Sequence, residues 1–334
     1  MGYGGTVMAG SGEVVNYNIR PCKNIERKMM CEMISCLATV DELSEYRYIG
    51  MGAKYFVDFI QMHKKFGIKE MYSLETMRTD EVKKRFEFNK PFNCINLVFK
   101  NSTEWLSSTG FRWKDKKDII WFDYDGSFTS NQLKDVEFCA GKVQSGSMIF
   151  VSTSLNFGLD FDELDPKEKL ARFCERVDNE SYTKHLQAKN FAAQGLYREL
   201  ANTFSLVIND SLLRRNIVIE NDSKKMYAER IAYFAYTDSL TPMVTLGWIF
   251  FSDYDKEKIT QCGIDRLSFY NKTNVPYDIS VPNFTYKELA VLNKNMPNVE
   301  YPIVDATFFS QEEVEAYKKI YRYYPTTVET NTVL

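Results

Sequence analysis

Four groups of side chains in this sequence have the types and spacing to do chemistry. Gly50-Met51-Gly52 follows a short apolar run and precedes a helical pattern. Glycines there let a backbone approach a ligand, and the helix N-terminus behind them favours negative charge. The same glycines would also serve a tight turn with no ligand. Glu75 closes the next apolar run. An acid at that point of an open α/β sheet accepts hydrogen bonds from ribose hydroxyls, or is a solvated carboxylate at a strand end. Asp123-Tyr124-Asp125-Gly126 follows a run that is almost wholly apolar. Asp123 would bind substrate or take a proton, Asp125 adds a second carboxylate, and Tyr124 would stack on a base or shape a pocket. The competing reading is a turn, since Asp and Gly are turn formers. Arg20, Lys23 and Arg27 form a basic lead-in that could clamp a carboxylate or phosphate, or could simply be solvated ahead of a helix.

These residues need elements to hold them. Ile25, Met29, Met30, Met33, Ile34 and Leu37 recur at helical spacing and predict an N-terminal helix with one apolar face. Strands are expected over Tyr46–Gly50, Glu70–Glu75, Cys94–Phe99, Asp118–Asp123 and Ser147–Ser152. Helices are expected over Tyr55–Lys65 and Thr79–Phe88, and helical structure from Pro166 to about Leu213. Alternating strands and helices imply a parallel sheet with right-handed crossovers. Met226–Tyr236 and Met243–Phe251 flank a short polar turn with Pro242 and read as an antiparallel hairpin. Thr285 with Glu288, and Ser310 with Glu313, have capping-box spacing and start helices Tyr286–Asn295 and Gln311–Tyr323. The expected fold class is α/β: a Rossmann-like, mostly parallel sheet ending in an antiparallel hairpin, with helical N- and C-terminal additions. The expected organisation is a disordered lead over 1–15, a helical segment over 16–44, the sheet domain over 45–274 and a helical tail over 275–334.

Composition narrows the function. The chain has 334 residues, 44% of them hydrophobic, and a formal net charge of −3. That balance does not indicate nucleic-acid binding over the whole surface, although a local basic groove is compatible with it. No apolar run approaches the roughly 20 residues that span a bilayer, and no signal peptide opens the chain, so a cytoplasmic protein with no membrane partner is expected. Seven scattered cysteines without a C-x-x-C pair suit reduced thiols, and two histidines make a structural zinc site improbable. No metal is expected, save that Asp123 and Asp125 could hold Mg²⁺ if an acceptor needed it. There is no G-x-S-x-G elbow, no phosphate-binding P-loop and no H-E-x-x-H pair. His63 reads as a core residue and His185 as exposed. Phe88 and Phe92 read as core, and the basic clusters at 83–85, 114–117 and 214–215 as solvated faces.

In their order, Tyr48-Ile-Gly-Met-Gly52, Glu75, Asp123-Tyr-Asp-Gly126, the fifth strand and the hairpin resemble a class I S-adenosylmethionine (SAM)-dependent methyltransferase over about residues 45–255. The likeness is greatest to bacterial proteins labelled as O-methyltransferases, some of which occur near mobile elements or anti-phage genes. It implies SAM as cofactor, Gly50 and Gly52 at its methionine part, Glu75 on its ribose, and Asp123, Tyr124 and Asp125 beside the methyl group and the acceptor. The sequence departs from the family at Tyr48, where an acid is usual, and at Lys54, where a small residue is usual. Absence of Asp-Pro-Pro-Tyr after the fourth strand disfavours methylation of adenine or cytosine amino groups. The first expectation is methyl transfer to an unidentified oxygen or nitrogen acceptor. The rival is a non-catalytic SAM- or nucleotide-binding partner in a bacterial, anti-phage multi-protein system, docking a neighbour through Tyr317, Tyr321, Tyr323 and Tyr324, unless those tyrosines pack on their own chain. A nicotinamide-dependent oxidoreductase is a third reading, weakened by Tyr55 and by the hairpin.

Overall fold

The structure, a computed structural model, describes residues 20–76, 79–108, 111–158, 161–192, 195–238, 241–303 and 306–325. The expected lead over 1–15 lies outside them. The chain runs α1 (Pro21–Cys36), β1 (Arg47–Gly50), α2 (Val57–Phe66), β2 (Glu70–Glu75), α3 (Asp80–Asn89), β3 (Ile95–Phe99), α4 (Ser102–Leu106), β4 (Asp118–Ser127), α5 (Ser130–Ala140), β5 (Met148–Ser154), α6 (Pro166–Val177), α7 (Glu180–Thr183), α8 (Gly195–Ile217), β6 (Met226–Asp238), β7 (Thr241–Ser252), α9 (Lys256–Thr260), β8 (Tyr277–Asp278), α10 (Tyr286–Asn295) and α11 (Gln311–Ile320).

One eight-stranded sheet has the order β3-β2-β1-β4-β5-β7-β6-β8. β1 to β5 pair in parallel, β7 pairs antiparallel with both β5 and β6, and β8 adds a parallel edge beside β6. The order reverses between β1 and β4. That switch opens a crevice at the carboxyl ends of the two strands, where Gly50 and Asp123 lie. The hairpin is as expected, apart from residues 239–240 of its turn, which lie outside the described residues. The two-residue β8 carries too short a pattern to be read from sequence.

Strand periodicity splits the core into two layers. Tyr48, Ile119, Trp121, Met148 and Phe150 face one side and pack with Ile25, Met29, Met30, Met33 and Ile34 of α1 and Phe59, Met62 and Phe66 of α2. Ile49, Ile120, Phe122, Ile149 and Val151 face the other, against α5, α6 and α8. The N-terminal helix is therefore part of the main core. In the tail, both capping boxes form at Thr285/Glu288 and Ser310/Glu313. Leu292, Val299, Phe309, Val314 and Tyr317 make a small core of their own, and Ile320 and Tyr323 join the main one. Tyr317 and Tyr323 are buried, and Tyr321 and Tyr324 pack against this small core. The four tail tyrosines thus pack on their own chain. Phe88, expected in the core, is 88% exposed, because the core-facing position of the last turn of α3 is taken by Phe86, two residues earlier and fully buried. Phe92 packs against the imidazole of His63, which in turn bonds the carbonyl of Ile68.

Candidate active site

The loop between β1 and α2 builds one wall of the crevice. Ala53 and Phe56 hold positive φ angles of 47° and 50°, a left-handed conformation costing roughly 1–2 kcal/mol per non-glycine residue. Side chains of β2 hold this loop in place. The Ser73 hydroxyl accepts from the Gly52 N–H at 3.0 Å and donates to Glu75 Oε1 at 2.9 Å. Glu75 Oε1 also accepts from the Ala53 N–H at 3.0 Å. The end of β2 and the glycine turn are therefore joined through a buried carboxylate.

The two glycines have different reasons. A Cβ on Gly50 would come within 2.6 Å of the Tyr48 hydroxyl and 2.8 Å of its ring. Gly50 makes room for Tyr48 and does not line the pocket, which corrects the expected cofactor contact. A Cβ on Gly52 would meet Phe56, Phe59 and Ser73 within 3 Å, yet Gly52 does lie on the pocket wall.

Tyr48 stands where the family usually has an acid. Its hydroxyl donates to Asp58 Oδ2, a residue of the first turn of α2. Burial, then the neighbouring Asp58, raises Tyr48 well above its ordinary value, so it stays a neutral donor. Burial also raises Asp58, opposed by the Tyr48 hydrogen bond and by Arg27. Asp58 was not anticipated as a site residue. An acid in the first helical turn directly after a glycine turn is the signal that marks it.

The opposite wall comes from α1 and β4. The pocket, open to solvent, is lined by Met51, Gly52, Ala53, Val57 and Asp58 of the β1–α2 segment, by Leu74, Glu75 and Thr76 at the end of β2, by Arg27 of α1 and by Asp123 and Asp125 of β4. Glu75, Gly52, Asp123, Asp125 and Arg27 are thus brought together.

Besides Gly50, three expected residues are not in this pocket. Tyr124 points to the far face of the sheet, where its hydroxyl donates to Asp135 at 2.7 Å, because successive side chains on a strand alternate. Arg20 pairs with Asp238, Nε to Oδ1 at 2.7 Å. Lys23 is fully buried and donates to Asp123 Oδ1 at 2.6 Å, to Glu26 at 2.7 Å and to the Tyr236 hydroxyl at 3.1 Å, with its ammonium 4.7 Å from the Trp121 ring centroid. Neither Arg20 nor Lys23 is an anion clamp, because carboxylates of their own chain take their charge. Burial alone would lower the lysine's pKa. Asp123, Glu26 and Tyr236 more than reverse that, and the ammonium is held above its usual range.

Beneath Lys23 the network continues through Glu26, which accepts from the hydroxyls of Thr245, Ser152 and Tyr236, while Trp121 Nε1 donates to Ser152 at 2.9 Å. These partners span α1, β4, β5, β6 and β7. Only the Lys23/Glu26 pair, three residues apart on a helix, is visible in sequence. Among the described residues no three His, Cys, Asp or Glu side chains gather as a metal site, and no helix is long and apolar enough to cross a membrane.

The donor set fits SAM chemically. Glu75 offers acceptors for a ribose diol, Arg27 a cation for the carboxylate, and Asp58, Asp123 and Asp125 carboxylates for the ammonium and sulfonium charges. A parallel sheet reversed between β1 and β4, closed by an antiparallel β6–β7 pair, is the fold of class I SAM-dependent methyltransferases. Residues 15–332 match the family described as "Putative O-methyltransferase", and the chain belongs to that family. No protein with a curated description matches. Among solved structures, a protein from Galdieria sulphuraria described as a "putative sarcosine dimethylglycine methyltransferase" is 12% identical with TM-score 0.36, covering 68% of this chain and 86% of that one. LepI in complex with SAM is 10% identical with TM-score 0.33, covering 60% of this chain and 42% of that one. The CcbJ methyltransferase of Streptomyces caelestis is 8% identical with TM-score 0.28, covering 40% and 49%. This chain spans less than half the length of LepI.

Proposed function

We propose that the protein transfers the methyl group of SAM to an oxygen acceptor held on the β4 side of the rim pocket. The observation that carries this is the meeting of Glu75, the Gly52–Ala53 turn and Asp123 around one open space. When bound, SAM supplies a methyl group already activated by its sulfonium. The chain's part is then alignment and exclusion of water. In this reading Glu75 and the turn hold the ribose end, and Arg27 and Asp58 hold the amino-acid end. Asp123 orients the acceptor hydroxyl or takes its proton. Seven cysteines, all free, suit a cytoplasmic setting.

One observation favours a second reading. Asp123 already accepts a hydrogen bond from the Lys23 ammonium, so one of its oxygens is engaged before any acceptor arrives. A non-catalytic SAM-binding partner in a bacterial multi-protein, anti-phage system would tolerate that pairing. Incubation with methyl-tritiated SAM and fractionated small-molecule, nucleic-acid and protein extracts separates the two. The enzyme reading expects label in one fraction, and a loss of about 100-fold in Asp123→Asn with SAM affinity nearly kept. Retained SAM binding with no transfer in any fraction contradicts it and supports the partner reading.

A further inference from the structure

A second groove lies on the same side of the sheet as α1 and α2, further along their seam. Cys31 and Gln61 line it one helical turn beyond Arg27 and Val57 of the rim pocket. Its floor is apolar, made by Cys31, Ile60 and the ring of Tyr323. Its rim carries Lys28, Lys64, Lys65 and Arg322 against the single carboxylate of Glu32. That carboxylate is already engaged, by Arg322 at 3.2 Å and by the Tyr323 hydroxyl.

The three lysines have no carboxylate partner among the described residues. Lys28, half-buried, donates to the carbonyl of Tyr323 at 2.9 Å. Lys65 lies over the ring of Phe66, and Lys64 is exposed. Burial lowers Lys28 from its ordinary value, the mark of a cation desolvated without a counter-charge. Like charges gathered at a half-enclosed apolar groove repel one another until an anion enters. An inorganic ion would leave the apolar floor wet, and a neutral hydrocarbon would leave the cations uncompensated.

We propose that this groove is a second ligand site, taking a small organic anion: a carboxylate, sulfonate or phosphate carried on an apolar body. The body rests on Ile60, Cys31 and Tyr323, and the anionic end meets Lys28, Lys64 and Lys65. The site is separate from the rim pocket, but both touch α1, whose Arg27 faces SAM in the proposed reading and whose Lys28 faces the groove.

The test uses the full chain and 8-anilinonaphthalene-1-sulfonate, followed by fluorescence. N-phenyl-1-naphthylamine supplies the same body without the charge, and inorganic phosphate the charge without the body. Saturable binding of the sulfonate is expected, at least about 10-fold tighter than either comparison compound. A double variant, Lys64→Gln with Lys65→Gln, is expected to weaken it about 10-fold. Lys83→Gln with Lys84→Gln, the same charge change on α3, is expected to leave it within about twofold. SAM affinity is measured separately on each variant, so failure of the groove and failure of the methyltransferase reading show in different titrations. Equal binding of the neutral compound, an equal effect of the two double variants, or no saturable binding below about 1 mM overturns the proposal.

Discussion

Asp123 and Tyr124 are neighbours on β4, and strand alternation sends them to opposite faces of the sheet. Asp123 faces α1. It is 17% exposed, paired with a buried lysine, and open to the pocket that also holds Arg27 and Asp58. Tyr124 faces α5. Its hydroxyl joins those of Ser102 and Thr103 in donating to Asp135. Burial raises Asp135, opposed by these three donors. Both carboxylates have their hydrogen bonds from the same end of the sheet, but only one is balanced by a full positive charge and only one reaches the pocket. Polar residues at a strand end therefore divide into ligand-facing and structural sets by face, and adjacency in sequence does not decide which.

The comparison breaks most visibly at Lys23. Lys23→Met leaves Glu26 and Asp123 as uncompensated carboxylates, and a loss of about 3–5 kcal/mol in urea unfolding is expected. A loss below about 1 kcal/mol would show that the ionic face is as replaceable as an exposed ion pair. Gly50→Ala comes next. The new methyl must displace the buried Tyr48 and its bond to Asp58, at about 1–3 kcal/mol, visible as a lower melting temperature in calorimetry. Tyr124→Phe removes one of three donors to Asp135. It is expected to cost about 1 kcal/mol and to leave the SAM dissociation constant within about twofold. A large change in SAM binding would return Tyr124 to the site.

A pH-dependent effect concerns the other end of β4. There Asp118 Oδ1 accepts from Arg47 Nε at 2.7 Å. Burial nevertheless dominates, Arg47 opposes it, and the Asp118 carboxyl is pushed up to about 7 from 3.8. The folded state then holds this proton more tightly than the unfolded chain. The stability this contributes is present below about pH 4 and is lost as pH rises towards about 7. Urea midpoints at about pH 5 and about pH 8 are expected to fall for the wild type and to differ less for Asp118→Asn.

The main sheet was legible because its strands are short apolar runs between helical patterns, and the hairpin because its two runs flank a Pro-containing turn. The meeting of Gly52, Glu75 and Asp123 followed from that order, since a sheet that reverses between β1 and β4 brings those ends to one crevice. Lys23 could not be assigned, because Asp123 and Tyr236 lie far from it in sequence and meet only when α1 lies across the rim. Gly50 was misassigned because the side chain that requires its missing Cβ is Tyr48, two residues away, which looks in sequence like a departure from the family and not a packing partner. Tyr124 was misplaced although strand alternation already separated it from Asp123. Asp58 is not legible as a site residue because it lies in the first turn of α2, beyond the strand ends where sheets of this kind hold their acids.

Calorimetric titration of the full chain with SAM, S-adenosylhomocysteine and NAD tests the central claim most directly. SAM is expected to bind with a micromolar dissociation constant, Glu75→Ala to weaken it by at least about 10-fold, and NAD not to bind. Binding of NAD without SAM, or SAM binding indifferent to Glu75→Ala, contradicts the account.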